Sequence, residues 1–475
     1  MSKIFYRFRS TDRLLKENEL KKQSIYFASP EQLNDPMEGF RDLYWQGDTI
    51  VWTNLFKHYL LCLEHVCCLY LIGGETQPIA DKDIPVFIGE MDLPTPKYKE
   101  LFSDMYNSFA TKIKLTDLVD GICSRTTPIR RDELFFYLKL IHGTALEVIY
   151  EAYANHGCAP KGNVSEDKRR DVLGLIKGKK FFELTEQLLR EHGTDKKVTD
   201  ALFAAHSNAV AQMDIILRYK DTAIHDQKNK VFLFLGFSEA YINQLEQLTF
   251  PQWYTACFMS KCDNSAVWGN YGYNHTGICL MFKAEQEGND FYIDVKGITG
   301  WGGDGAVYGI MKQKFHPVNY VKGYGEIDFF KSIGRLPHGK LHTTWYAGDG
   351  KRSACADAMT NNEEEWRRSY WEKFLPDLQI KTKDWAYEDE SRLILTSMLG
   401  SFSKKEDRAL TYEFNSLHGL IFGIKTSMDD KISIMKIIEQ KCRETGRKDF
   451  KFHQARYSHE NSCIEFSELS LLTFA

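Results

Sequence analysis

Phe5-Tyr6-Arg7-Phe8-Arg9-Ser10 near the start of the chain and Trp385-Ala386-Tyr387-Glu388-Asp389-Glu390-Ser391-Arg392 near its end are the two stretches whose reading decides the fold. If the first is a β-strand, its period of two puts Arg7 and Arg9 on one face with Phe5, and Tyr6 and Phe8 on the other. Two guanidiniums then converge on whatever covers that face. By the same period Glu388, Glu390 and Arg392 share a face in the second stretch, and three charges in a row are unusual for a buried strand. Such a row is expected at a sheet edge or a cleft.

Working outward, the next elements are a short helix capped by Thr11-Asp12 and carrying Leu14, Leu15 and Leu20, then a β-prone run Ile25-Tyr26-Phe27-Ala28-Ser29. Asn34-Asp35-Pro36 breaks it as a turn. From about Leu43 to Leu248 the texture is helical, with apolar spacing of three to four over Leu134–Tyr153, Lys180–Glu191 and Val198–Arg218. Strand texture returns at Trp253–Ser260, Gly277–Phe282, Phe315–Val321, Ser391–Ser397 and Gly419–Gly423, with a Gly-rich loop at Gly300–Gly309 and an amphipathic helix at Lys431–Thr445. The expected architecture is α+β: a mixed-sheet core formed by 1–42 and 251–475 and split by a helical insertion over 43–250. Only folding brings the two charged stretches together.

With 475 residues the chain exceeds the ~100–200 typical of one domain. Its 31 Phe, 24 Tyr and 9 Trp supply a real core, which excludes a disordered chain. A net charge of −4 gives no global field for nucleic acid. Eleven cysteines without regular spacing point to reduced thiols and a cytoplasmic protein. No signal-peptide pattern opens the sequence, and the apolar run Tyr59–Gly73 falls short of the roughly 20 residues that span a bilayer.

These motifs together resemble a bacterial domain family of unknown function, over about half of the chain. Its opening strand is matched by Tyr6-Arg7-Phe8-Arg9-Ser10, and its aromatic strand and turn by Tyr26-Phe27-Ala28-Ser29-Pro30 and Asn34-Asp35-Pro36-Met37-Glu38. Its central signature is matched by Cys257-Phe258-Met259-Ser260 and by Trp268, Tyr271, His275 and Gly277, its late one by Trp385, Tyr387, Glu388, Glu390 and Arg392. The layout in turn resembles that of ADP-ribosyltransferases. This implies NAD as co-substrate, ADP-ribosyl transfer or NAD glycohydrolysis, and a toxin or anti-phage effector role, with the helical insertion recognising a protein partner or closing over the site.

On that resemblance Glu390 is the catalytic carboxylate beside an oxocarbenium-like centre and Glu388 assists the acceptor. Arg7 and Arg9 hold the pyrophosphate, Ser29 orders the pocket, and Tyr26, Trp268 or Tyr271 stacks on a ring, with Arg392 completing the set. Other readings stand beside these. Glu-x-Glu-x-Arg also suits an ion-paired brace in which Arg9 or Arg392 neutralises Glu390, and Arg7 and Arg9 equally suit bonds to backbone carbonyls. Trp268 and Tyr271, three apart, fit a helix face in the core. A sensor or interaction module without catalysis is the alternative function. Cys62, His65, Cys67 and Cys68 cannot all face one point of a helix, so no metal is expected, and His142, His156, His206 and His225 lack metal-binding spacing.

Overall fold

Ser2–Arg9 is a strand, and its neighbours obey the same alternation. In the adjoining strand Ile278–Glu287, Ile278, Leu280, Phe282 and Ala284 enter one hydrophobic core with Phe5, while Cys279 and Met281 enter a second with Phe8. Successive side chains on a pleated strand point to opposite faces, so each face of this sheet carries its own core. The helix Met428–Thr445 covers the first face through Ile434, Ile438 and Cys442.

The computed structural model describes residues 2–158, 180–191, 196–220, 226–320, 323–396 and 401–472. Helix makes up 51% and strand 23%, so the chain is a mixed α and β protein. It divides into two compact units: 1–40, 251–324 and 373–475 form one, and 41–250 with 325–372 form the other.

The first unit is built on a twelve-stranded sheet. Its main path runs Cys463–Glu468, Lys451–Ser458, Leu417–Phe422, Ile278–Glu287, Ser2–Arg9, Trp253–Met259, Glu390–Thr396 and His316–Pro317. Neighbours are antiparallel except Leu417–Phe422 and Lys451–Ser458, which are parallel and separated in sequence by the helix Met428–Thr445. The Gly-rich segment expected as a loop is part of a long hairpin, Asp290–Gly302 with Gly305–Lys314, whose register shifts between Ile298 and Gly300. Of Phe315–Val321, only His316–Pro317 pairs as a strand among the described residues.

The second unit is mainly helical. Residues 325–372, expected in the α+β core, belong here because Glu326–Asp328 pairs with Asp42–Trp45. Phe329 and Phe330 then pack on Trp45 and Trp52. The helix Thr49–Gly73 has 25 residues and is long and apolar enough to cross a membrane, which corrects the shorter span read from sequence. Its side chains from Val51 to Val66 are largely buried in this unit. Buried histidines bind neighbours: His142 lies 2.8 Å from the Tyr59 hydroxyl and 2.7 Å from the Leu233 carbonyl. His225 lies outside the described residues.

One glycine fixes how the first strand meets the central motif. A Cβ on Gly277 would sit 2.5 Å from the Arg9 carbonyl oxygen and 2.9 Å from that of Gly272. Both are backbone atoms with little freedom to move. Gly277→Ala is expected to destabilise the sheet unit by about 1–3 kcal/mol, read as a lower urea midpoint. An unchanged midpoint would mean that the two strands tolerate separation here.

Candidate functional site

The strands Ser2–Arg9 and Trp253–Met259 are neighbours, yet they share a register pair only at Tyr6 and Met259. Beyond that pair a cavity of about 310 Å³ is lined from one strand by Arg7 and Arg9 and from the other by Thr255 and Cys257. Arg7 is buried, and its guanidinium donates to the carbonyls of Tyr26 at 2.9 Å and Cys257 at 3.4 Å. Its Nε–H has no acceptor among the described residues. Burial, then the charge of Arg9, pulls the Arg7 guanidinium down to about 9. Arg9 reaches away to Glu19 at 2.7 Å while still lining the cavity.

Glu390 lines the same cavity, as do Tyr26, Tyr271, Glu38 and Lys381. The two charged stretches therefore border one space. Of the cations in this lining, Arg9 is paired with Glu19 and Lys381 with the carboxylates, while Arg7 and Arg13 form no ion pair among the described residues and make the cavity cationic in a chain whose net charge is −4.

Behind Glu390 lies a buried charge cluster. The Lys381 ammonium is 3.0 Å from Glu38, 2.7 Å from Glu388 and 3.1 Å from Glu390. Arg392 is 2.8 Å from both Glu390 and Glu38 and donates to the Leu378 carbonyl at 2.8 Å. Three carboxyl groups thus share two cations. Burial alone would raise Glu390, but Arg392 and then Lys381 outweigh it and hold the carboxyl down to about 2. Glu388 is the surplus acid: burial pushes it up to about 7 against the pull of Lys381. Tyr271 donates its hydroxyl to Glu388 at 2.5 Å, so a side chain lining the cavity touches a carboxyl that exchanges protons near neutrality.

Local structure explains the placement. Asp35 accepts from the Met37 amide at 2.9 Å, and this turn brings Glu38 into the cluster. Glu388 ends the 3₁₀ segment Lys383–Glu388, Asp389 takes a left-handed φ of 47°, and the strand begins at Glu390. Glu388 therefore does not share a strand face with Glu390 and Arg392, and the two glutamates meet only at Lys381. The strand is not an exposed edge either, because Trp253–Met259 pairs along its whole length and His316–Pro317 along part of the other side. Tyr273, Asn274 and His275 have φ of 53°, 54° and 68°, three successive left-handed residues that cost roughly 1–2 kcal/mol each. This strained turn puts Tyr273 on the cavity wall.

Three expected ligand contacts are not available. Trp268 is a core residue, its indole N–H bound to the Cys262 carbonyl at 2.7 Å and its ring edge-on to Phe8. Arg392 is buried behind Glu390 and does not line the cavity. Ser29 is also off its lining, and its amide donates to Gln32 at 3.1 Å in the turn that follows. Lys381 and Glu38 were missed. Glu38 lies in the turn after Asn34-Asp35-Pro36, and its partners Lys381 and Arg392 lie over 340 positions away.

No family model, curated protein or solved structure matches this chain.

A folded-state value above the ordinary 4.5 means that native Glu388 holds its proton more tightly than the unfolded chain does. Its contribution to stability is complete below about pH 4.5 and is lost as pH rises through about 7. The stability of wild type minus that of Glu388→Gln should therefore fall over this window in urea titrations. A flat or rising difference would place Glu388 among ordinary carboxylates.

Proposed function

We propose that the α+β unit binds NAD and transfers or hydrolyses its ADP-ribosyl group, as the resemblance of its motifs to the ADP-ribosyltransferase layout implies. The observation that carries this reading is the single cavity lined by Arg7, Arg9 and Glu390, from opposite ends of the chain. Its cationic lining and the free Arg7 Nε–H suit the pyrophosphate oxygens. A volume of about 310 Å³ is at the small end of the ~300–1,000 Å³ of ligand pockets, so the cavity takes one end of a dinucleotide.

Glu390, kept ionised by Arg392 and Lys381, is the anion placed to stabilise positive charge developing on the nicotinamide ribose. The ribose C1′–N bond breaks and its electron pair leaves with nicotinamide. An acceptor oxygen, water in hydrolysis, bonds to C1′, and its proton passes by way of Tyr271 to Glu388. Tyr26 and Tyr271 are the rings available for stacking.

One observation favours the second reading, a nucleotide-binding or interaction module without turnover: Glu390 is already engaged by two cations. In that case it braces the fold, and removing it leaves buried cations short of a partner, at a cost of about 3–5 kcal/mol.

Nicotinamide release from NAD separates the two. Wild type is expected to turn over, Glu390→Gln to lose at least about 100-fold while still binding NAD in calorimetry, and Arg7→Gln to bind NAD more weakly. Absence of both heat and nicotinamide with wild type would defeat the catalytic reading. A Glu390→Gln chain that melts lower but turns over normally would assign the carboxylate to bracing.

A further inference from the structure

A second cavity, of about 550 Å³, lies wholly within the helical unit. One wall is a face of the helix Thr49–Gly73, with Thr53, Asn54, Lys57 and Leu61 following helical spacing. Facing them are Phe102 and Tyr106 from the helix Pro96–Ile113 and Asp120 from the helix Leu115–Cys123. Gly89 closes the far side against Thr344, where any Cβ would collide.

The lining has uncommitted polar groups. The Asn54 amide donates both protons to the carbonyls of Trp345 and Ala347, at 2.9 and 3.0 Å, which fixes its orientation and leaves its oxygen as an acceptor. Neither the Thr53 nor the Tyr106 hydroxyl has a hydrogen-bond partner among the described residues. His58 is spoken for, lying 2.8 Å from the Tyr241 hydroxyl and 3.1 Å from the Val86 carbonyl, and burial lowers it to about 4. It is therefore neutral near pH 7.

The charge balance selects the occupant. Glu90 is paired with Lys57, whose ammonium lies 4.8 Å from the centre of the Tyr106 ring. Asp120 and Asp349 also line the cavity, and neither forms an ion pair among the described residues. Two unbalanced carboxylates repel phosphates and carboxylic acids. Ile50, Tyr106 and Ala110, the half-buried apolar side chains of the lining, offer a ring or chain an apolar bed, while the Lys57 ammonium already lies over the Tyr106 ring.

We propose that this cavity binds a small organic cation, an amine carried on an aromatic or aliphatic body. The ammonium is held by the exposed carboxylates of the lining, Asp120 and Asp349, the body rests against Ile50 and Tyr106, and the Asn54 oxygen and Thr53 hydroxyl take its remaining donors. The site does not rest on the NAD reading, since every residue in it belongs to the other unit.

A matched series tests this: phenethylamine, 2-phenylethanol and phenylacetate, titrated into the full chain by calorimetry. The amine is expected to bind at one site per chain, the alcohol at least about tenfold more weakly, and the acid not at all. The double variant D120N/D349N should weaken the amine about tenfold and flatten its salt dependence. A110W, which fills the cavity from a partly exposed helix position, should abolish binding while leaving the melting point of the free protein unchanged. The proposal is overturned if the alcohol or acid binds as tightly as the amine, if none of the three binds at millimolar concentration, or if D120N/D349N binds the amine like wild type. Because Asp120 and Asp349 are exposed, that double variant decides the question even if A110W does not fold.

Discussion

The α+β unit depends on the ammonium of Lys381 being surrounded by Glu38, Glu388 and Glu390, with Arg392 closing the ring. Each of these groups would lose several kcal/mol by burial alone, and only mutual pairing offsets that loss. The cluster therefore forms as a whole or not at all. It ties the turn after Asn34-Asp35-Pro36 to a strand that begins more than 350 residues later, and in doing so it fixes the Glu390 carboxylate at the cavity wall. Burial, only partly offset by Lys381, is what pushes Glu388 up to about 7.

The cavity follows from a failure of strand pairing. Had Ser2–Arg9 and Trp253–Met259 stayed in register beyond Tyr6 and Met259, backbone hydrogen bonds would fill the space that Arg7 now occupies. The guanidinium donates to the Cys257 carbonyl across the gap and to that of Tyr26, and its Nε–H has no acceptor among the described residues. Nearby, three left-handed residues store strain beside the same opening, and Gly277, lacking a Cβ, lets the backbone pass close to the Arg9 carbonyl. Backbone strain of this kind is most often found where a site must be held open or a side chain aimed.

A nearly neutral chain thus contains two cavities of opposite sign. The one in the sheet unit is lined by an excess of guanidinium and ammonium groups, the one in the helical unit by an excess of carboxylates. Net charge reports the sum and conceals both. Each lining also has polar atoms with no partner among the described residues, the Arg7 Nε–H in one and the Asn54 oxygen in the other.

Many helices and the strands of the sheet centre were legible in the sequence because periodicity is local: the alternation of Phe5, Arg7 and Arg9 and the apolar spacing within Leu134–Tyr153 follow from covalent geometry within a few residues, whereas the Gly-rich part of the hairpin Asp290–Gly302 with Gly305–Lys314 reads as a loop. Arg7, Arg9 and Glu390 were legible as charges out of place in strand-like runs. Local signals failed where the outcome rested on distant partners. Trp268 went to the core because Phe8 and the Cys262 carbonyl await it, Glu388 left the strand through the left-handed Asp389, and 325–372 joined the helices through pairing with Asp42–Trp45. By itself the sequence determined many of the helices and strands and which of their faces are apolar. Only the tertiary structure decided which charges meet, since no residue near Lys381 in sequence announces that Glu38 will share its ammonium with Glu388 and Glu390.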